Sequence, residues 1–199
     1  MADFKLLGGT DPVGSSLGVM TQGLGFPLRD VEPSTSGGPV TIVTETAINA
    51  SSFEDQLPTG LGVALKLTFG APQTNANFTL DAAGNFTCLT TDEYTLFSKF
   101  VVGRRGNAAG VAQIYVRFLI NGVQVGNSSH TIIDDPDTEI PVSFSFTIGL
   151  TAGDVITFEI IRDTDGNNSG GVYAGNPEVP WNPSPSCTVD FSRTLAVQT

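Results

Sequence analysis

The stretch from Ser143 to Ile161 constrains the fold more than any other part of the chain. Phe144, Phe146, Ile148 and Leu150 alternate with small polar residues. After Thr151-Ala152-Gly153-Asp154 the alternation restarts with Ile156, Phe158 and Ile160. A period of two over this length puts the apolar side chains on one face of a strand and leaves the other face wet. Neither half has the 3.6-residue period that a helix requires. The interruption reads as a turn, because Gly tolerates positive φ and Asp hydrogen-bonds its own backbone. Two courses stay open: a hairpin within one sheet, or a passage between two sheets.

The same period recurs along the chain. Val40 to Val43 reads as a short strand, and Asn49 to Gln56 as a turn-rich segment with room for one helical turn. Val63, Leu65, Leu67 and Phe69 share one face. Phe78-Thr-Leu80 and Phe86-Thr-Cys88 flank a Gly-containing loop, Asp81 to Asn85. Tyr94 to Val102 is apolar on both faces in places, which marks a central strand. Ile114, Val116, Phe118 and Ile120 align and end in Asn121-Gly122, followed by Val123 and Val125. Asn-Gly between alternating apolar residues is a strong hairpin signal. Asp134 to Glu139 is an acidic loop, and His130 falls in a loop just before it. Thr164 to Ser186 is a long loop rich in Gly, Asn and Pro, and Val189 to Val197 makes the last strand. Roughly eight to ten strands with almost no helix predict an all-β sandwich or barrel over residues 39–199.

Residues 1–38 read differently. Eight glycines and three prolines break every pattern, yet Phe4, Leu6, Leu7, Leu17, Met20, Leu24 and Phe26 are scattered through the segment. A disordered linker carries fewer apolar side chains. The segment reads as an extended arm that orders against a neighbour, a flexible hinge being the alternative.

From about Gly62 onward the order of motifs resembles the jelly roll shared by tumour necrosis factor and the complement globular head. The pieces are Gly84-Asn-Phe-Thr-Cys88, Asp92-Glu-Tyr-Thr-Leu-Phe97, Tyr115-Val-Arg-Phe-Leu-Ile-Asn-Gly122, Leu150-Thr-Ala-Gly-Asp-Val-Ile-Thr-Phe158 and Ser186-Cys-Thr-Val-Asp-Phe191. The resemblance implies a jelly-roll β-sandwich of antiparallel strands that assembles as a homotrimer. Virion proteins of tailed bacteriophages look similar, with a jelly roll behind an N-terminal anchoring segment. Neither a collagen-like stalk nor a secretory signal accompanies the resemblance here, which favours a protein made in a host cytoplasm and built into a virion.

Charge narrows the partners. Only 15% of the 199 residues are charged, against about 25% in typical domains. The formal net charge of −11 repels nucleic acid and anionic membrane. Cys88 lies in phase with Phe86 and reads as a small buried hydrophobe. A reducing cytoplasm disfavours its pairing with Cys187. The Asn-x-Ser/Thr triplets at Asn49, Asn77, Asn85 and Asn127 follow from an Asn/Thr-rich composition. Arg104-Arg105 reads as a solvated pair in a Gly-rich loop.

No catalytic constellation stands out. Gly14-Ser15-Ser16-Leu17-Gly18 matches the nucleophile pattern, but it lacks the strand before and helix after that would hold Ser16 on a strained elbow. One histidine makes neither a zinc cluster nor a convincing acid–base pair. Asp163 and Asp165 offer oxygen ligands near Gly166, the weak candidates for a cation. The calcium loop that they approach places its Gly at the sixth position and closes with a Glu at the twelfth, and neither is present. Tyr173 and Trp181, in the long loop, are candidates for stacking on a sugar or a partner chain, against the plainer reading that the loop packs on the sandwich.

These observations predict a non-enzymatic structural protein of a virus particle. The expected form is a trimeric decoration (cement) protein on a phage head, docked on the major capsid protein or another virion protein through residues 1–38 and needing no cofactor. The alternative is a receptor- or glycan-binding module that uses the 164–186 loop.

Overall fold

The computed structural model describes residues 40–105 and 109–198, so the arm with Phe4, Leu6, Leu7, Leu17, Met20, Leu24 and Phe26, and the Ser16 pattern within it, lie outside the described residues. Thirteen strands are described: β1 (Val40–Ser52), β2 (Leu65–Lys66), β3 (Thr74–Asn75), β4 (Phe78–Leu80), β5 (Phe86–Cys88), β6 (Asp92–Arg104) and β7 (Ala112–Ile120), then β8 (Val123–Gln124), β9 (Ser129–Ile133), β10 (Thr138–Leu150), β11 (Val155–Arg162), β12 (Gly171–Val172) and β13 (Cys187–Gln198). No helix occurs among the described residues. Ile42–Leu195 forms one compact unit.

Two antiparallel sheets face each other. The first runs β10-β6-β13-β1-β3, with β12 also on β6. The second runs β4-β5-β11-β7-β8, with β2 on β11 and β9 on β7. The chain passes from the second sheet to the first between β5 and β6, returns for β7, crosses again for β10, returns for β11 and ends in β13. This repeated crossing between sheets makes the fold a jelly-roll sandwich.

The alternation predicted for Ser143–Ile161 is present. In β10, Phe144, Phe146 and Ile148 are half-buried and Leu150 is buried, while the residues between them are exposed. In β11, Ile156, Phe158 and Ile160 are buried. The turn between them carries the chain from the first sheet to the second. Gly153 adopts a φ of +97° there. Asp154 closes the turn: its carboxylate accepts the Thr151 N–H at 2.8 Å and the Asn121 side-chain amide at 2.8 Å. Gly153 N–H in turn donates to Cys88 O at 2.8 Å, which ties the passage to β5.

The inward faces meet in an aromatic core. Phe158 has ring centroids of Phe118, Phe100, Phe86 and Phe69 at 5.4, 5.5, 6.1 and 6.2 Å. Phe191 of β13 stacks on Phe78 of β4 at 4.8 Å, a second link between the sheets. The central place predicted for Tyr94–Val102 holds: β6 pairs β10 along its full length and β12 and β13 on its other side. Asn121 (φ 51°) and Gly122 (φ 77°) make the predicted tight hairpin between β7 and β8.

Four expectations are corrected. Asn49–Ser52 is strand, not turn, because its turn-forming side chains face across to β13, Asn49 donating to Asp190 at 2.9 Å and Ser51 meeting Thr188 at 3.1 Å. The strand expected from Val63 shrinks to Leu65–Lys66: Gly62 turns the chain at φ +70° and Val63 stays exposed, although Leu67 and Phe69 are buried in the expected phase. His130 lies on β9 rather than in a loop, paired with Tyr115. Arg104 is buried, not solvated, donating to Gly110 O at 2.7 Å and Asp134 O at 2.9 Å. Both cysteines are free and buried, Cys88 in the second sheet and Cys187 in the first. Burial pushes the Cys187 thiol up to about 12.

Two predictions follow from this packing. Phe158→Ala lowers unfolding free energy by about 3–5 kcal/mol in urea denaturation, whereas Phe97→Ala on the outer face changes it by less than about 1 kcal/mol. The hydrogen bond from Thr151, and then that from Asn121, hold the Asp154 carboxyl below its ordinary 3.8. A depressed folded-state value contributes stability that is present above 3.8 and lost as pH falls through the folded value. Acidification below about pH 4 therefore destabilises the wild-type protein more than Asp154→Asn, and matching slopes would contradict this role.

Candidate partner-binding loop

The connection between β11 and β13 is built on a buried base and ends in an exposed tip. At its start, Asp163 Oδ1 accepts the Asp165 N–H at 3.1 Å, a local turn that holds the Asp163 carboxyl below its usual range. Among the described residues no three His, Cys, Asp or Glu side chains gather where a metal ion would sit, so no third such side chain joins Asp163 and Asp165. Arg162, also buried, donates from Nε to Gly170 O at 2.8 Å and from Nη1 to Asn168 at 3.0 Å. The chain then runs along β6 as β12. A Cβ on Gly171 would sit 2.5 Å from Gln56 O, so only glycine allows this approach.

Tyr173 follows and is buried, 5% exposed. Its N–H donates to Val101 O at 2.9 Å. The Arg105 guanidinium lies over its ring, 4.4 Å from the centroid. Burial raises the phenol's pKa. Arg105 also bridges Asp55 at 2.9 Å and Glu139 at 2.7 Å, and donates to Ala174 O at 3.0 Å. Asp55 returns a second bond, accepting the Ala174 N–H at 2.8 Å. Tyr173 is thus a packing residue under an arginine clamp, not a free stacking surface.

Beyond the clamp, Gly175 and Ser184 exchange backbone hydrogen bonds of 3.0 and 2.8 Å and pinch off residues 176–183. Trp181 N–H donates to Glu178 O at 3.1 Å across a turn that contains the cis Val179–Pro180 bond. Val179 is 94% and Trp181 76% exposed. The loop therefore separates the two aromatics that the sequence had placed together, leaving Trp181 and Val179 as an apolar tip. An exposed indole of this kind offers a face to a sugar ring or a partner's apolar pocket.

The sequence did not single out Arg105 as a clamp, since Gly-rich flanks do not show that this surface arginine lies over a tyrosine far along the chain. It also did not single out Tyr115, which stacks with His130 at 4.2 Å and 6° on the outer face of the second sheet. The only signal was that Tyr115 falls in the outward phase of β7.

The architecture defines an all-β jelly-roll protein. No protein-family model and no curated protein matches the chain. Among solved structures, the globular domain of zebrafish complement 1qA protein aligns with 13% identity over 78% of this chain and 100% of its own, at a TM-score of 0.42. Murine APRIL aligns with 14% identity over 77% of this chain and 99% of its own, also at 0.42.

Arg105→Ala is expected to speed hydrogen exchange at the Tyr173, Ala174 and Gly175 amides and to lower global stability by about 1 kcal/mol. Unchanged exchange at Ala174 would show that the clamp does not hold the loop.

Proposed function

We propose that the chain is a non-enzymatic structural protein of a tailed-bacteriophage virion, a homotrimeric decoration protein that docks on the head through residues 1–38. The observation that supports the self-association in this reading is the edge of β10, which no other described strand covers. This thirteen-residue strand pairs only β6 among the described residues, and Pro141 sits in it, as prolines of sheets do at edges. Beside that edge, Ile140, Phe144, Phe146 and Ile148 are only partly buried. A long edge strand with an apolar flank favours association unless it is covered. A ring of copies, each covering the next one's edge, does so without open-ended growth. The motif resemblance supports three as the number of copies.

In this reading the apolar side chains of residues 1–38 bury against the shell, and three linked arms turn weak single contacts into strong attachment. The body, with most of a net charge of −11, stays soluble and faces outward. A second reading, a receptor- or glycan-binding module, is favoured by the exposed Val179–Trp181 tip.

Co-sedimentation with purified heads stripped of the protein separates the two. The docking reading predicts that the full-length chain pellets with heads, that deletion of residues 1–38 abolishes pelleting, and that Trp181→Ala leaves it unchanged. Loss of cell or glycan attachment with Trp181→Ala, with head binding absent throughout, would favour the second reading.

A further inference from the structure

The outer face of the second sheet carries a polar site built from three of its strands. Glu159 on β11 pairs with Lys66 of β2 on one side and with Arg117 of β7 on the other. The three side chains therefore stand in one row across three strands, about 10 Å long at ordinary strand spacing. Arg117 donates to Glu159 from Nε at 2.8 Å and from Nη2 at 2.5 Å. Lys66 donates instead to a neutral acceptor, Asn85 Oδ1, at 3.0 Å. Within the row two cations stand against one carboxylate, and Asp81 adjoins it through Asn85, whose side-chain amide donates to Asp81 at 2.6 Å.

A cleft opens on each side of the ion pair, and Arg117 and Glu159 line both. One, of about 160 Å³, is walled by Tyr115, Gln124 and Ser128. The other, of about 430 Å³, is walled by Lys66, Asn85 and Asn121. His130 covers one face of the Tyr115 ring, which stiffens that wall.

We propose that this face binds an acidic saccharide, a short oligosaccharide carrying a carboxylate. Lys66 has an exchangeable neutral partner and so can take an anion. Glu159, in the middle of the row, is a pure acceptor and needs hydroxyl donors. The ligand's carboxylate therefore belongs at Lys66 and its hydroxyls at Glu159. Asn85 and Asn121 each donate once and accept once within the protein, to Asp81 and from Lys66, and to Asp154 and from Val155, which leaves each one amide hydrogen and one carbonyl lone pair for ring hydroxyls. Tyr115 supplies an aromatic wall for the C–H face of a pyranose. Adjoining clefts that share one ion pair suit consecutive sugar units. The proposal is independent of head docking.

The test is an array of uronate- and sialate-containing oligosaccharides probed with the full-length protein, followed by calorimetric titration of the strongest binder against its carboxyl-reduced form. The expected result is binding that weakens about tenfold or more on carboxyl reduction and again with Lys66→Gln, because each removes a charge-assisted hydrogen bond. Tyr115→Ala weakens it too, and Trp181→Ala does not. An array without binders, equal affinity for the reduced sugar, or full affinity in a folded Lys66→Gln variant would overturn the proposal. The reduced-sugar comparison uses the wild-type protein, so it stands even where a variant fails to fold.

Discussion

Phe158 meets four other rings, and through them the two sheets become one core. Its neighbours Phe86 and Phe118 belong to its own sheet, whereas Phe100 belongs to the opposite one. Edge-on and tilted ring pairs at such distances add to the burial of large apolar area. Phe158 can occupy this place only because β11 is central in its sheet and keeps its inward phase from Ile156 to Ile160. That phase is set by the turn before it. With Asp154 capping Thr151 and Asn121 bridging to Val155, the chain enters β11 in a fixed register. A slip of one residue would turn Phe158 out to solvent and Glu159 into the core.

What the sequence made legible follows from this. Alternation reports which face a residue occupies, so the inward residues of β7, β10 and β11 were readable one strand at a time, whereas β6, apolar on both faces in places, showed only its central position. Asn121-Gly122 was readable because only residues tolerant of positive φ fit its turn. Partnership between distant segments was not. Asn49 and Ser51 carry turn propensity, yet their bonds to Asp190 and Thr188 place them on the wet face of a long strand. Tyr173 and Trp181 look equivalent in a Gly/Pro-rich loop, but an arginine far away in the chain covers one and leaves the other bare. The row of Lys66, Glu159 and Arg117 is assembled by register across three strands, and no local pattern announces it.

These features divide the described residues into a rigid scaffold and distinct surfaces. The aromatic core and the buried arginines Arg104 and Arg162 fix the sandwich and the loops at one end of it. The β10 edge, the Val179–Trp181 tip and the clefts flanking Arg117–Glu159 lie on top of that scaffold. A jelly roll suits such a division, since its core specifies the fold while edge, loop and face vary without disturbing it. In the reading favoured here, the edge serves self-assembly, the arm serves docking, and the polar face is left for a ligand.

The central claim is that β10 is covered by another copy of the chain in a closed ring of three. Light scattering of the purified full-length protein, measured over a range of concentrations, tests it most directly. The account predicts a particle of three times the 20.8 kDa chain mass that neither grows nor dissociates across that range. A stable monomer of 20.8 kDa would contradict it, leaving the β10 edge open in solution and the closed ring without support.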